Sequence, residues 1–399
     1  MASLQLLCQN VQMFTKRRLY LDNAAGVAGN PSSPHTEGRT ARELLERARE
    51  KVARLLEVKA DDIIFTSGAT ESNALAILGT VRAALKLREG QATHVLYLPS
   101  SHASIVENMA LLREEGMTVE PLPMSDGRVD TERLMTMLTN DTVLVSMDAV
   151  CGETGVVWNT REVASVLEKF RTSKAVQVSV EAARPIPHAF TVLPVLHVDA
   201  SQAPQTEKVT RSHFGADLLT FDISKISPER GLGVLVAHRT IPMEPLYRGG
   251  GQERGMRPGS ESPVLAEAFA EALIEAVAGR EEFVHEAQAQ RASLRARIAA
   301  DIPEAVITEG KEQAANILNI SLPGRDTDYL VAVLDEAGIA VSTKSACETD
   351  SEEGSRAVYA LTKDTERAKS TLRVSWGKRT HARDLERFVE VLKKSIPLA

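Results

Sequence analysis

The chain has 399 residues, 43% hydrophobic and 25% charged, the balance of a globular protein, which excludes a disordered or fibrous one. A formal net charge of −7 gives no basic field for nucleic acid or an anionic membrane, and aromatic residues at 4% are too sparse for base-stacking platforms. No apolar run reaches the roughly 20 residues of a membrane span, and the length suits two α/β units.

The first eighteen residues hold no acid and end in Lys16-Arg17-Arg18, a faint transit-peptide character set against the plainer reading of an arm before the first strand. Ala41, Leu44, Leu45, Ala48, Val52, Leu55 and Leu56 recur at helical spacing and predict an amphipathic helix. Asp62–Thr66 reads as a strand, followed by the small-residue turn Ser67-Gly68-Ala69-Thr70 and a helix over Glu71–Leu87. Strands are predicted at His94–Leu98, Thr142–Met147, Val195–Val198, Leu218–Phe221 and Gly233–Val236, with a helix at Ala103–Glu115. Short β-rich runs separated by longer helices imply crossovers and a mainly parallel sheet, an α/β fold. Thr172–Pro194, with three prolines and no clear period, reads as a surface excursion.

The glycine cluster Arg248-Gly249-Gly250-Gly251 marks a change of pattern. A long helix is predicted from Val264 to Glu286 or beyond, then strand Ile317–Ser321, helix Thr327–Ala337, strand Ile339–Ser342, a helix, strand Thr371–Ser375 and a terminal helix. The large unit is taken as 19–260 and a smaller α+β unit as 261–399, with part of the arm 1–30.

The three cysteines, Cys8, Cys151 and Cys347, are odd in number and form no C-x-x-C pair, which disfavours a disulfide framework or a zinc site and points to a reducing, cytoplasmic setting. Ser67-Gly68-Ala69-Thr70 is a backbone N–H cradle suited to a phosphate, or a capped βα turn. Asp199, in His197-Val198-Asp199-Ala200-Ser201-Gln202, ends a buried strand, where open α/β sheets bind ligands; it could equally cap. Lys225 lies just past the next strand. A phosphate cradle, a strand-end acid and a strand-end lysine are the three parts that pyridoxal 5′-phosphate requires.

With these pieces assembled, the chain resembles the cysteine desulfurases, within the class V aminotransferase branch of fold-type-I pyridoxal phosphate enzymes. The resemblance runs through Tyr20-Leu21-Asp22-Asn23-Ala24-Ala25, Gly29-Asn30-Pro31-Ser32-Ser33, Phe65–Asn73, Ser101-His102, Glu153–Val157, His197–Gln202, Gly249–Ser260, Asn316–Asn319 and Ser345-Ala346-Cys347. It implies a large domain with a mainly parallel seven-stranded sheet and a smaller C-terminal α+β domain. It also implies that His102 stacks on the cofactor ring and moves protons, that Asp199 pairs with the pyridine nitrogen and that Gln202 meets the ring hydroxyl. Lys225 would be the Schiff-base lysine, 26 residues past Asp199. Gly68, Ala69 and Thr70 would hold the phosphate, and Ser260 would reach the phosphate of a partner subunit in a homodimer. Arg373, and more weakly Asn23, would grip the carboxylate of L-cysteine. Cys347, in a polar stretch 26 residues before Arg373, resembles the nucleophile of the long-loop group. It would take sulfur as a persulfide for an acceptor such as an iron–sulfur scaffold or for tRNA thiolation.

The chain departs from the family at several positions. Asp222-Ile223-Ser224-Lys225 stands where a Ser-x-His-Lys is usual, so an acid replaces the phosphate-binding serine, repulsive to a phosphate unless a cation intervenes or it points away, and Ser224 is left to supply a hydroxyl. Cys151-Gly152-Glu153 replaces Asn-Asn-Glu, and Lys344 replaces the glycine before Ser345. The segment between Ala25 and Gly29 lacks the residues of a first helix near the entrance, while Thr172–Pro194 is longer than usual by a similar amount; this insertion is expected to cover the surface so exposed. The competing readings are a selenocysteine lyase, another class V lyase or aminotransferase, and a weakly active homologue serving as a binding partner in sulfur transfer.

Overall fold

The computed structural model describes residues 18–27, 29–181, 193–343 and 354–396. Helix α1 (Thr36–Leu56) forms as its spacing predicts: Leu45, Ala48, Val52 and Leu56 are buried, His35 accepts from Gly38 N at 3.2 Å as N-cap, and Glu57 in the left-handed region ends it. The following elements are β1 (Ile63–Thr66), α2 (Ala69–Leu87), β2 (His94–Tyr97), α3 (Ala103–Glu114), β3 (Thr118–Pro121), the hairpin β4 (Met124–Ser125) and β5 (Arg128–Val129), α4 (Thr131–Met137), β6 (Thr142–Asp148) and α5 (Thr160–Glu181). Strands β7 (Val195–Asp199), β8 (Leu218–Asp222) and β9 (Gly233–Ala237) complete the large sheet.

Its seven strands run in the order β1-β9-β8-β7-β6-β2-β3. All are parallel except β9, which pairs antiparallel with both β1 and β8, so the mainly parallel seven-stranded sheet that the resemblance implies is present. Strands β6 and β7 are buried on both faces, which is why they read as near-continuous runs of Val, Leu and Met. Alternate residues feed two cores. Phe65, Val145, Val198, Phe221 and Val234 pack with α1 and helix Pro263–Ala278, while Ile64, Leu144, Val195, Leu218 and Leu235 pack with α2 and α3. Each such side chain withdrawn from water contributes roughly 1.5–3 kcal/mol.

The C-terminal residues build a three-stranded antiparallel sheet, β10 (Val306–Thr308), β11 (Ile317–Ser321) and β12 (Thr371–Ser375). Helices Arg280–Asp301, Thr327–Glu336 and Ala382–Ser395 cover it through Leu294, Ile298, Leu330, Phe388 and Leu392.

Three expectations are corrected, and one strand was not foreseen. The long helix predicted from Val264 is two helices, Pro263–Ala278 and Arg280–Asp301, broken at Gly279. Ile339–Ser342 is no strand; Ser342 alone bridges to Arg373. Thr172 opens no excursion, because α5 continues to Glu181; residues 182–192 lie outside the described ones, as do Cys8 and Cys347. Edge strand β3 was not foreseen, its exposed Thr118, Glu120 and Pro121 carrying no strand signal.

Candidate active site

The carboxyl ends of β1, β2, β6, β7 and β8 lie along one edge of the sheet, and the turns after β1, β2, β7 and β8 carry the predicted residues of the large sheet. Asp199 ends β7 and is buried. Its Oδ2 accepts from Asn73 Nδ2 at 2.7 Å and its Oδ1 from Ser201 N at 2.9 Å. Asn73, buried on α2, also donates to Ser104 Oγ at 2.8 Å, and Ser104 Oγ lies 2.8 Å from His102 Nδ1. His102 is the N-cap of α3, its Nδ1 accepting from Ser104 N at 3.2 Å. One chain of side chains therefore joins His102 to Asp199. Asn73 belongs to the site by contact, although its motif alone assigned it no role.

A second acid was also missed. Asp148 ends β6 in register with Asp199 and accepts from Ser101 Oγ at 2.6 Å. Burial pushes its carboxyl up to about 7; the Ser101 hydrogen bond opposes this and the Asp199 charge reinforces it. Its signal was present in the sequence, since a strand-end acid at β6 invites the same reading as the one at β7. Beneath the pair, burial pulls His197 down to about 4, despite the Asp199 charge, so the imidazole is neutral. Cys151 is buried with its Sγ 3.7 Å from Ser100 O, and burial pushes its thiol up to about 12. It is a filler of space rather than a nucleophile.

Gly152 lies against Gln202, where a Cβ would come within 3.0 Å of Nε2. The carbonyl of Gly152 accepts from Arg373 Nη1 at 3.1 Å, and Arg373 Nη2 donates to Ser342 Oγ at 3.1 Å. Arg373 projects from β12 of the C-terminal sheet, so this guanidinium spans the seam between the two sheets beside Gln202. Asn319 of β11 reinforces the seam, donating to Glu153 O at 3.3 Å. Ser355 donates to Glu153 Oε2 at 2.5 Å.

Lys225 closes a short turn after β8 and is exposed; its carbonyl accepts from Gln205 Nε2 at 3.1 Å. The cradle Ser67–Thr70 joins β1 to α2 with Gly68 at φ +151 and Thr70 exposed on the first turn. A Cβ on Gly233 would lie 2.4 Å from the Gly68 carbonyl carbon, so only glycine admits the loop at that point. Asp222 Oδ2 accepts from Ala69 N at 2.8 Å and Oδ1 from Ser224 N at 2.7 Å. Ser260 is exposed ahead of helix Pro263–Ala278, and Asn23 sits exposed in the turn Asp22–Gly26; no hydrogen bond ties either to the described pocket residues.

The residues present fit pyridoxal phosphate at its ring. Asp199 is a buried carboxylate that no cation among the described residues pairs, an arrangement costly alone and satisfied by a pyridinium N–H. Lys225, His102 and Gln202 stand on neighbouring turns of the same edge. Among the described residues no group of His, Cys, Asp and Glu could hold a metal ion, and no helix is long and apolar enough to cross a membrane.

The family model described as aminotransferase class-V matches residues 12–388. Cysteine desulfurase IscS 1 of Archaeoglobus fulgidus is 33% identical over 91% of this chain and 88% of its own. A mitosomal cysteine desulfurase of Encephalitozoon cuniculi is 33% identical over 92% of this chain and 81% of its own. A solved NifS-like protein shares 26% identity with a TM-score of 0.79, over 93% of this chain and 92% of that one. The chain belongs to the class V aminotransferase family, whose pyridoxal 5′-phosphate its ring-side residues fit, and it takes its place among relatives named cysteine desulfurases.

Proposed function

We propose that this protein is a pyridoxal phosphate-dependent cysteine desulfurase that converts L-cysteine to L-alanine and carries the sulfur on Cys347. The observation that supports it most is the placement of Arg373: a planar guanidinium from β12 reaches the Gly152 carbonyl, and Gly152 lies against Gln202. Such a fork suits an α-carboxylate held bidentately.

Bound in the pocket, the cofactor supplies an electron sink for the substrate Cα. Asp199, fixed by Asn73 and Ser201 N, holds the ring-nitrogen proton. Lys225 Nζ anchors the cofactor and moves the proton at Cα. The Ser104 contacts hold His102 at Nδ1, which assigns proton transfer to Nε2. Gln202 meets the ring hydroxyl, and Gly68, Ala69, Thr70 and Ser224 lie on the phosphate side. Arg373, with Asn23 as a weaker contributor, orients the substrate carboxylate. The Cys347 thiolate attacks the substrate sulfur, the Cβ–S bond breaks, Cβ takes a proton, and the sulfur stays on Cys347 as a persulfide. Ser342 and Ser355 flank Cys347 in the chain and are tied to Arg373 and Glu153.

The same reading makes the protein a homodimer, with Ser260 reaching the partner subunit's cofactor phosphate; exposed Val264, four residues past Ser260, suits an interface. It makes the acceptor a sulfur-receiving protein such as an iron–sulfur scaffold, and the setting cytoplasmic. It treats 19–260 and 261–399 as the two units between which Arg373 works. The test is direct: purified protein with cofactor and L-cysteine releases alanine and, with a thiol reductant, sulfide, and Cys347→Ser loses both by at least about a hundred-fold. Full turnover in Cys347→Ser would overturn the persulfide route.

A further inference from the structure

We infer that Asp222 is a built-in anion of the phosphate cradle, and that it sets how strongly this pocket prefers a phosphorylated cofactor over its unphosphorylated form. Helix α2 is 19 residues long, and its first amides carry the partial positive charge that draws an anion. In this chain that position is already taken by the chain itself. Asp222 Oδ2 accepts from Ala69 N at 2.8 Å, and Glu71 Oε2 accepts from Ser67 N at 2.6 Å, so the amides on both sides of Gly68 face carboxylates.

The carboxylate is braced in place. Its second oxygen accepts from Ser224 N at 2.7 Å, which ties the turn bearing Lys225 to the head of α2. It lies directly against the loop, since even a Cβ on Gly68 would be 3.4 Å from Oδ2. The loop cannot draw back toward β9, because Gly233 already packs on the Gly68 backbone. Among the described residues no ion pair joins a cation to Asp222, and Arg257, beside the cradle, is engaged by Glu71 at 3.2 Å.

An incoming phosphate, carrying between one and two negative charges, therefore meets an anion that already serves the helix end. It must displace Asp222 from Ala69 N or share the cradle with it. Either way the phosphate contributes less to binding than it would beside a neutral hydroxyl, while the ring-side residues bind as before. The cofactor-free chain gains in exchange a cradle that its own side chain holds together.

The inference rests on pyridoxal phosphate being the cofactor but not on Cys347, so binding without turnover tests it apart from the desulfurase reading. The full chain, Asp222→Ser and Asp222→Asn are titrated with pyridoxal phosphate and with pyridoxal, and thermal midpoints are measured with and without inorganic phosphate. Both variants should bind pyridoxal phosphate at least about ten-fold tighter, with pyridoxal changed less than about three-fold. Inorganic phosphate should raise the midpoint of Asp222→Ser above its own phosphate-free value by more than it raises that of the parent. Asp222→Asn keeps an acceptor for Ala69 N and serves if the serine variant folds poorly. A preference for phosphate that is unchanged or smaller in the variants overturns the inference.

Discussion

Asn73 holds Asp199 and Ser104 with the same amide nitrogen, 2.7 Å from one and 2.8 Å from the other, so the acid at the end of β7 and the histidine at the head of α3 share one anchor. Asn73→Ala removes a donor from a buried carboxylate, a loss of about 1.5–3 kcal/mol. Affinity for pyridoxal phosphate should fall about ten-fold or more. The pH at which the bound cofactor's visible band changes should also move, which loss of packing alone would not do. A cofactor titration with an unshifted pH profile would remove Asn73 from the site.

Arg373 offers two nitrogens in a fixed fork, 3.1 Å from Gly152 O and 3.1 Å from Ser342 Oγ. Arg373→Lys keeps the charge but loses the fork. The KM for L-cysteine is expected to rise by roughly ten- to a hundred-fold, with a smaller change in kcat. Steady-state kinetics on the two proteins decide it; an unchanged KM would place the carboxylate elsewhere.

Asp148 gives stability a pH dependence whose sign is fixed by its raised value. Unfolded, the carboxyl has its ordinary value near 3.8; folded, it keeps its proton up to about 7. Between those limits the folded state binds more protons, so its contribution is full at low pH and is lost as pH rises through 7. Asp148→Asn should therefore compare more favourably with the parent at pH 8 than at pH 5 in denaturant unfolding. The opposite order would show that Asp148 is ionised in the folded chain.

Ser355 is buried and donates to Glu153 Oε2 at 2.5 Å, closing the seam just after the segment that bears Cys347. Ser355→Ala leaves a buried carboxylate one donor short and should cost about 1–3 kcal/mol of unfolding free energy. A denaturation midpoint within error of the parent would show the contact to be dispensable.

Much of this was legible in the sequence, for physical reasons that differ by element. Strands such as Val195–Asp199 are buried on both faces, so apolar runs bounded by turn residues announced them, and the acid at the end of β7 stood out against that background. The Ala/Glu-rich pattern after Pro263 hid the break at Gly279, because helical spacing resumes on either side of it. Asn73 was hidden differently: a polar residue on a helix buried nearly all round shows its partner only once α2 lies against β7 and α3. The substitution at Asp222 was visible in the sequence, but the direction of its carboxylate was not. Whether it turned from the phosphate side or into the cradle depended on the approach of β8 to the head of α2.

The hydrogen bond between Arg373 and Ser342 also fixes a radius of delivery. Cys347 follows Ser342 by five residues, and a chain of that length spans at most about 18 Å even when fully drawn out. Since Ser342 is moored to the guanidinium proposed to orient the substrate, an acceptor taking sulfur from Cys347 by the proposed route would have to bring its receiving atom near that reach, close to the seam between the two sheets.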